Sequence, residues 1–407
     1  MEIINGGVTA AKGFSAAHTA AGIKYENRED MAMIFSSVPC VTAGTYTTNI
    51  VKAAPVVWDK KMTDSGMPAR CAVINAGIAN ACTGKEGMKI CEESAVAAAK
   101  VLNIPAEHVL LASTGVIGMQ IPLDKITEGI KALAGKLDES IEAGTGAAKA
   151  IMTTDTVKKE YACKFMIGDK EVTVGGMCKG SGMIHPNMAT MLAFTTTDVN
   201  IDGKLLKKAL SEIVSDTFNM VSVDRDTSTN DTYVVMANGL AGNEKIEKED
   251  ENYKKFYEAL LYVSKSLAMN IASDGEGATK LFEMTVMGAE SKKQAKVLAK
   301  SIISSNLVKA MLYGNDANSG RVLCAMGYSG EKFDPEKVDL YIEDEKRKLC
   351  IVKDGMYADY SEDEATDILK SKKVICTADI HMGSMSATAW GCDLTYDYVK
   401  INGDYRS

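Results

Sequence analysis

The sequence predicts a mixed α/β fold, and three observations carry that expectation. Short apolar runs end in glycine-containing turns, as buried strands do. Longer segments between them space apolar residues three and four apart, the period of one helix face. One pair of segments meets at a Gly-Asp junction, the mark of a hairpin. Neither a fixed-period repeat nor a low-complexity linker divides the 407 residues, yet that length calls for two or three substructures rather than one core.

In chain order, Cys71 to Ile74 and Val109 to Ala112 read as buried strands. Between them, Glu86 to Leu102 puts Met88, Cys91, Ala95, Val96 and Ala99 on one helical face. Leu123 to Leu137 repeats the pattern with Ile126, Ile130 and Leu133. Tyr161 to Ile167 and Glu171 to Val174, joined at Gly168-Asp169, form the hairpin, and Met191 to Phe194 can start a buried strand. Asp202 is placed to cap a helix carrying Leu206, Leu210 and Ile213. Val221 to Val223 and Thr232 to Met236 read as strands, Tyr253 to Met269 as a helix, and Ser291 as the cap of another helix. Charged, hairpin-like segments lie near Val338 to Val352 and Val374 to Asp379.

Composition narrows the function. An apolar fraction of 46% and a charged fraction of 25% are those of a globular protein. A net charge of -8 argues against nucleic acid or an anionic membrane as partner. The N-terminus has neither a basic nor an apolar leader region, and no stretch has the length of a membrane span, so a cytoplasmic protein is expected. The ten cysteines form no CxxC pair and are expected to be reduced core residues. His18, His108, His185 and His381 are isolated from one another, so no metal is expected.

The run from Cys178 to Asp198 carries the most chemistry. It is dense in small residues, is broken by His185-Pro186-Asn187, and brings Thr190 to the edge of the apolar run Met191 to Phe194. A threonine hydroxyl needs a neighbouring base to act as a nucleophile. If the Ala189-Thr190 bond is cut, Thr190 gains a free α-amine with a pKa of about 7.7 to 8.0, suited to that task. The same hydroxyl can make the cut, attacking the Ala189 carbonyl to form an ester that water then releases. The plain alternative is a β-branched residue that begins a strand.

Lys179-Gly180-Ser181-Gly182-Met183-Ile184, followed by Asn187-Met188-Ala189-Thr190-Met191-Leu192-Ala193-Phe194, resembles the self-cleavage site of the ornithine acetyltransferase (glutamate N-acetyltransferase) family. The likeness extends from Gly6-Gly7-Val8-Thr9 through Asn80-Ala81-Cys82-Thr83-Gly84 to the C-terminus. It implies a fold related to self-processing aminopeptidases, in which residues 1–189 and 190–407 are two interleaved chains after autocleavage, usually assembled as a tetramer of two α and two β chains. It also implies ping-pong chemistry: Thr190 takes acetyl from N2-acetylornithine and passes it to glutamate, in arginine biosynthesis. No cofactor is implied, although some members also use acetyl-CoA as a co-substrate.

The resemblance assigns further residues whose local pattern is ambiguous. Ser113-Thr114-Gly115 could be an ordinary strand-to-helix turn, but becomes the oxyanion element, with Thr114 and Gly115 as stabilisers. Thr153, in a hydroxyl-rich run beside Asp155, becomes a substrate ligand rather than a turn residue. Lys179, by default a surface cation, becomes one for a substrate carboxylate. Ser273-Asp274-Gly275-Glu276-Gly277 does not have phosphate-loop spacing, and the resemblance places Glu276 opposite the ornithine amino groups. Asn402 and Ser407, at an end that would ordinarily fray, are implied to touch ligand. Ser319 stands where the family usually has Trp, so Arg321 is not placed in the site. An N-terminal-nucleophile aminopeptidase or amidohydrolase, a paralogue acting on another acyl-amino acid, and a non-catalytic binding scaffold remain as alternatives.

Overall fold

A computed structural model describes residues 1–185 and 191–404. Among these, the chain forms two compact units. The first comprises Met1–Gly180, residues 191–218 and Thr227–Leu267; the second comprises Ser181–His185, Asn219–Asp226 and the described residues from Ala268 onward. These units divide the chain differently from a cut at Ala189-Thr190.

The first unit is built on strands β1 (Glu2–Ile4), β2 (Phe14–Thr19), β3 (Met31–Tyr46), β4 (Ala69–Asn75), β5 (Val109–Ser113), β6 (Lys159–Ile167), β7 (Lys170–Lys179), β8 (Leu192–Thr197) and β9 (Thr232–Ala237). They pair in the order β1-β6-β7-β8-β9-β3-β4-β5, with β2 also on β3. The long β3 serves two neighbourhoods: Met31 to Phe35 pair with β4, whereas Val41 to Tyr46 pair with β9. Strands from both sides of Ala189-Thr190 therefore share one sheet, and neither piece holds a complete one.

Helices of this unit are α1 (Ala54–Asp64), α2 (Gly84–Leu102), α3 (Leu123–Ala134), α4 (Ile141–Ala150), α5 (Gly203–Asp216) and α6 (Glu251–Ser273), the last of which continues past Leu267 into the second unit. Parallel β4 and β5 are joined through α2, and parallel β8 and β9 through α5, as crossover connections require. Cys71, Val73, Val109 and Leu111 face a core with Ile90, Cys91 and Ala95 of α2 and Ile126, Ile130 and Leu133 of α3. Ala72, Ile74, Leu110 and Ala112 face the opposite core, with Ala147 and Ala148 of α4. Both strand faces are buried, which is why their sequences are continuously apolar rather than alternating.

In the second unit, β10 (Leu281–Ala289), β11 (Asp339–Glu343), β12 (Lys348–Lys353), β13 (Met356–Tyr357), β14 (Lys373–Asp379) and β15 (Met385–Cys392) pair in the order β13-β12-β11-β14-β10-β15. Helix α7 (Lys292–Ile303) packs on β10 and β15 and buries Leu298, Ala299, Ile302 and Ile303. Helices α8 (Asn306–Gly314), α9 (Ser319–Gly327), α10 (Glu362–Leu369) and α11 (Tyr396–Gly403) complete it.

The expected helix caps are present: Asp202 accepts the Lys204 N–H at 2.8 Å and Ser291 the Gln294 N–H at 3.2 Å. The hairpin turns at Gly168-Asp169, with Ile167 opposite Lys170. Three expectations are corrected. Val221 to Val223 is no strand, because Val221 makes only an isolated bridge to Trp390. Residues 374–379 form no hairpin of their own but run parallel to β10. The helix from Leu123 stops at Ala134, where Gly135 follows.

Candidate active site

Strand β5 ends at Ser113, and the chain then makes a sharp approach to the loop after β4. The Thr114 N–H donates to Asn75 O and the Val116 N–H to Gly77 O, both at 3.0 Å. Gly115 lies between them with φ +127°, and a Cβ there would sit 2.3 Å from the Gly77 carbonyl carbon and oxygen. Only glycine fits that crossing. Among the described residues, neither the Thr114 hydroxyl nor the Gly115 N–H is engaged, and both residues are half-buried. The segment can thus present one hydroxyl and one peptide N–H, the donor pair that a developing oxyanion needs.

A second cluster of the first unit forms around Asp155. Its carboxylate accepts from Lys159 Nζ at 2.7 Å, the Gly180 N–H at 2.7 Å and the Thr153 N–H at 3.1 Å, with Lys179 Nζ 4.0 Å away. The Asp155 and Lys159 side chains are entirely removed from solvent. Burial pushes the Asp155 carboxyl up, but the Lys179 and Lys159 ammoniums outweigh it and hold its pKa at about 2. Asp155 thus fixes the backbone of Thr153 and Gly180 and stays charged among cations. Arg28 secures the same loop by donating to the carbonyls of Met152 at 2.7 Å and Thr153 at 3.0 Å.

Glu276 and Asn402 meet within the second unit. Asn402 Nδ2 donates to Glu276 Oε2 at 2.7 Å, from an exposed position on α11. Glu276 is itself buried, and its N–H donates to Ser181 O at 3.0 Å. A Cβ on Gly182 would lie 2.2 Å from the Glu276 carboxylate, so the small residue makes room for that side chain. Asp224 accepts the N–H groups of Met183 at 2.6 Å and Ile184 at 2.9 Å, and burial raises its pKa. His185 Nδ1 is 2.9 Å from Ser222 Oγ. Burial, then the charges of Lys300 and Arg225, lower the His185 pKa to about 4, so its ring is neutral at pH 7.

Of the sequence-derived site residues, Thr114, Gly115, Thr153 and Lys179 belong to the first unit and Glu276 and Asn402 to the second. Ala189, Thr190 and Ser407 lie outside the described residues. Arg321 donates to Leu307 O at 3.0 Å, and Ser319 is fully buried at the start of α9. Among the described residues no group of three or more His, Cys, Asp or Glu is arranged to hold a metal, and no helix is long and apolar enough to cross a membrane. None of the ten cysteines forms a disulfide, but Cys82 and Cys324 are exposed rather than in the core.

Two organising carboxylates escaped the sequence-level assignment. Asp155 carries a signal, because Lys159 follows it at i+4 and it is the one acid in a hydroxyl run. Asp224 carries little: besides the N–H of Asp226 two residues on, it accepts from backbone groups some forty residues upstream.

The ArgJ family model matches residues 15–407. A protein of Symbiobacterium thermophilum named arginine biosynthesis bifunctional protein ArgJ is 51% identical over 409 residues, covering 100% of both chains. ArgJ 1 of Clostridium acetobutylicum is 50% identical over 403 residues, 99% of this chain and 98% of its own. The crystal structure of the arginine biosynthesis bifunctional protein argJ from Bacillus halodurans superposes with a TM-score of 0.50 at 47% identity, covering 52% of this chain and 98% of that one. With a family match across nearly its whole length and full-length relatives at half identity, the chain belongs to the ArgJ family.

Proposed function

We propose that this chain is an acetyltransferase of arginine biosynthesis that moves the acetyl group of N2-acetyl-L-ornithine to L-glutamate through an acetyl-Thr190 ester. The observation that carries this is the end-to-end match to ArgJ proteins at 51% identity. Thr190 Oγ attacks the acetyl carbonyl, the amide nitrogen leaves as ornithine with a proton, and the glutamate amine then takes the acetyl group and frees the hydroxyl. The new α-amine of Thr190, released by cleavage after Ala189, accepts and returns the proton.

Each half-reaction passes through a tetrahedral oxyanion, and the unengaged Thr114 hydroxyl and Gly115 N–H support their role as its stabilisers. Lys179 and Thr153, fixed from behind by Asp155, suit a substrate carboxylate, while Glu276 with Asn402 suits an ammonium. Ser407 is assigned to ligand contact by family pattern alone. Acetyl-CoA as a second acetyl donor would make the enzyme bifunctional, the word its relatives' names carry. A cytoplasmic tetramer of two pairs of fragments completes the proposal. Incubation with N2-acetylornithine and radiolabelled glutamate tests it: labelled acetylglutamate forming faster than free acetate is expected, and hydrolysis alone would point to an amidohydrolase.

A further inference from the structure

Asn230, in the turn leading into β9, is buried, and every polar group of its side chain is engaged. Its Nδ2 donates to Ala79 O at 2.6 Å and to Ser113 O at 2.7 Å. Its Oδ1 accepts the Thr229 hydroxyl at 2.6 Å, and the reversed amide would set an oxygen against two carbonyls, so the orientation is fixed. The two carbonyls belong to the two arms of the crossing at Gly77 and Gly115, and Ser113 immediately precedes Thr114. Among the described residues β5 lies at the end of its sheet, with no further strand beyond it to bond the Ser113 carbonyl, and Asn230 takes that place.

The other end of Asn230 is tied to the strand that follows the nucleophile. Its backbone carbonyl accepts the Thr232 hydroxyl at 3.0 Å, and the Thr232 N–H donates to Met191 O at 2.9 Å. There β8 and β9 pair in parallel with Leu192 opposite Thr232. Met191 is the residue after Thr190. One residue therefore connects the oxyanion segment, through its side-chain amide, to the strand start at Met191, through its backbone carbonyl and Thr232.

We infer that Asn230 is a positioning residue for acetyl transfer: it sets the Thr114 hydroxyl and the Gly115 N–H relative to the strand start at Met191. The inference rests on the acetyl-transfer reading above. Prearranged donors stabilise an oxyanion only at hydrogen-bond distance from it, and a misplacement of about 1 Å costs about 100-fold in rate. Asn230 touches no reacting atom in this role and acts through Thr114 and Gly115.

The test is steady-state kinetics of the full-length protein with N2-acetylornithine and glutamate. Absence of transfer by the wild type overturns the acetyl-transfer reading and this inference with it. Given wild-type turnover, Asn230→Ser assayed well below its unfolding midpoint is expected to lower kcat about 100-fold while KM for both substrates stays within about threefold. Adding Thr114→Ala is expected to cost less than the product of the two single losses, because both act on the same donors. An Asn230→Ser enzyme with wild-type kcat, a loss carried by KM instead, or fully multiplicative losses overturns the inference. If Asn230→Ser does not fold, Thr229→Val decides, since it removes the hydroxyl that orients the amide. A kcat about tenfold lower at constant KM supports the role, and an unchanged kcat overturns it.

Discussion

Asp155 and Lys159 form an ion pair of 2.7 Å with both side chains fully out of solvent. One turn of chain holds both partners, and the same carboxylate anchors Thr153 and Gly180 on either side of the hairpin. Removing its charge leaves the Lys159 ammonium buried without that partner, the expensive way to break such a pair. Asp155→Asn is expected to destabilise the fold by about 3–5 kcal/mol in chemical denaturation. A loss below about 1 kcal/mol would show that the pair is not needed.

The same group sets an acid limit. The Asp155 pKa is depressed to about 2 from 3.8, so the unfolded chain binds the more protons in that window. Its contribution is full above about pH 4 and is lost as pH falls through about 2, amounting to about 2 kcal/mol. Denaturation midpoints measured from pH 5 to pH 2 should fall more steeply for the wild type than for Asp155→Asn. Parallel curves would assign the acid sensitivity to other carboxylates.

Gly115→Ala puts a methyl against the Gly77 carbonyl at a backbone angle that alanine rarely adopts. The loop must move, taking its N–H out of line. A kcat lowered by at least about 100-fold is expected in the coupled transfer assay, with smaller changes in KM. Retention of more than about a tenth of wild-type kcat would remove Gly115 from the oxyanion role.

Gly182→Ala meets the far end of a flexible side chain, the Glu276 carboxylate. The fold should survive and Glu276 should shift away from Asn402. KM for N2-acetylornithine is expected to rise about tenfold, about 1.4 kcal/mol of binding, with a nearly unchanged unfolding midpoint. An unaltered KM would separate Glu276 from substrate binding.

Much of this architecture was legible in the sequence because local rules coincide with the tertiary outcome. The caps at Asp202 and Ser291, the Gly168-Asp169 hairpin and the doubly buried strands β4 and β5 are examples. Helix α1 and the long β3 were not foreseen. Pro55 opens α1 within a weakly patterned stretch, and Pro39 and Gly44 interrupt the apolar run of β3. Val221 to Val223 failed for the opposite reason: β-branched residues suit a strand, but this segment makes only one bridge. At the site, Thr114, Lys179 and Glu276 stood out through family pattern, whereas Asn230 and Asp224 act on backbone groups distant in sequence, which no local spacing reveals.

In the proposed mechanism Thr190 becomes a chain terminus and carries the acetyl group. Denaturing mass spectrometry of the purified active protein, after exposure to N2-acetylornithine, reads both events at once, with Thr190→Ala as the control. The expected result is two fragments divided between Ala189 and Thr190, an acetyl adduct on the fragment that starts at Thr190, and an uncut, unacetylated chain for the variant. A single intact 43.6 kDa polypeptide that nevertheless transfers acetyl at full rate would rule out an N-terminal Thr190 as the acetyl carrier.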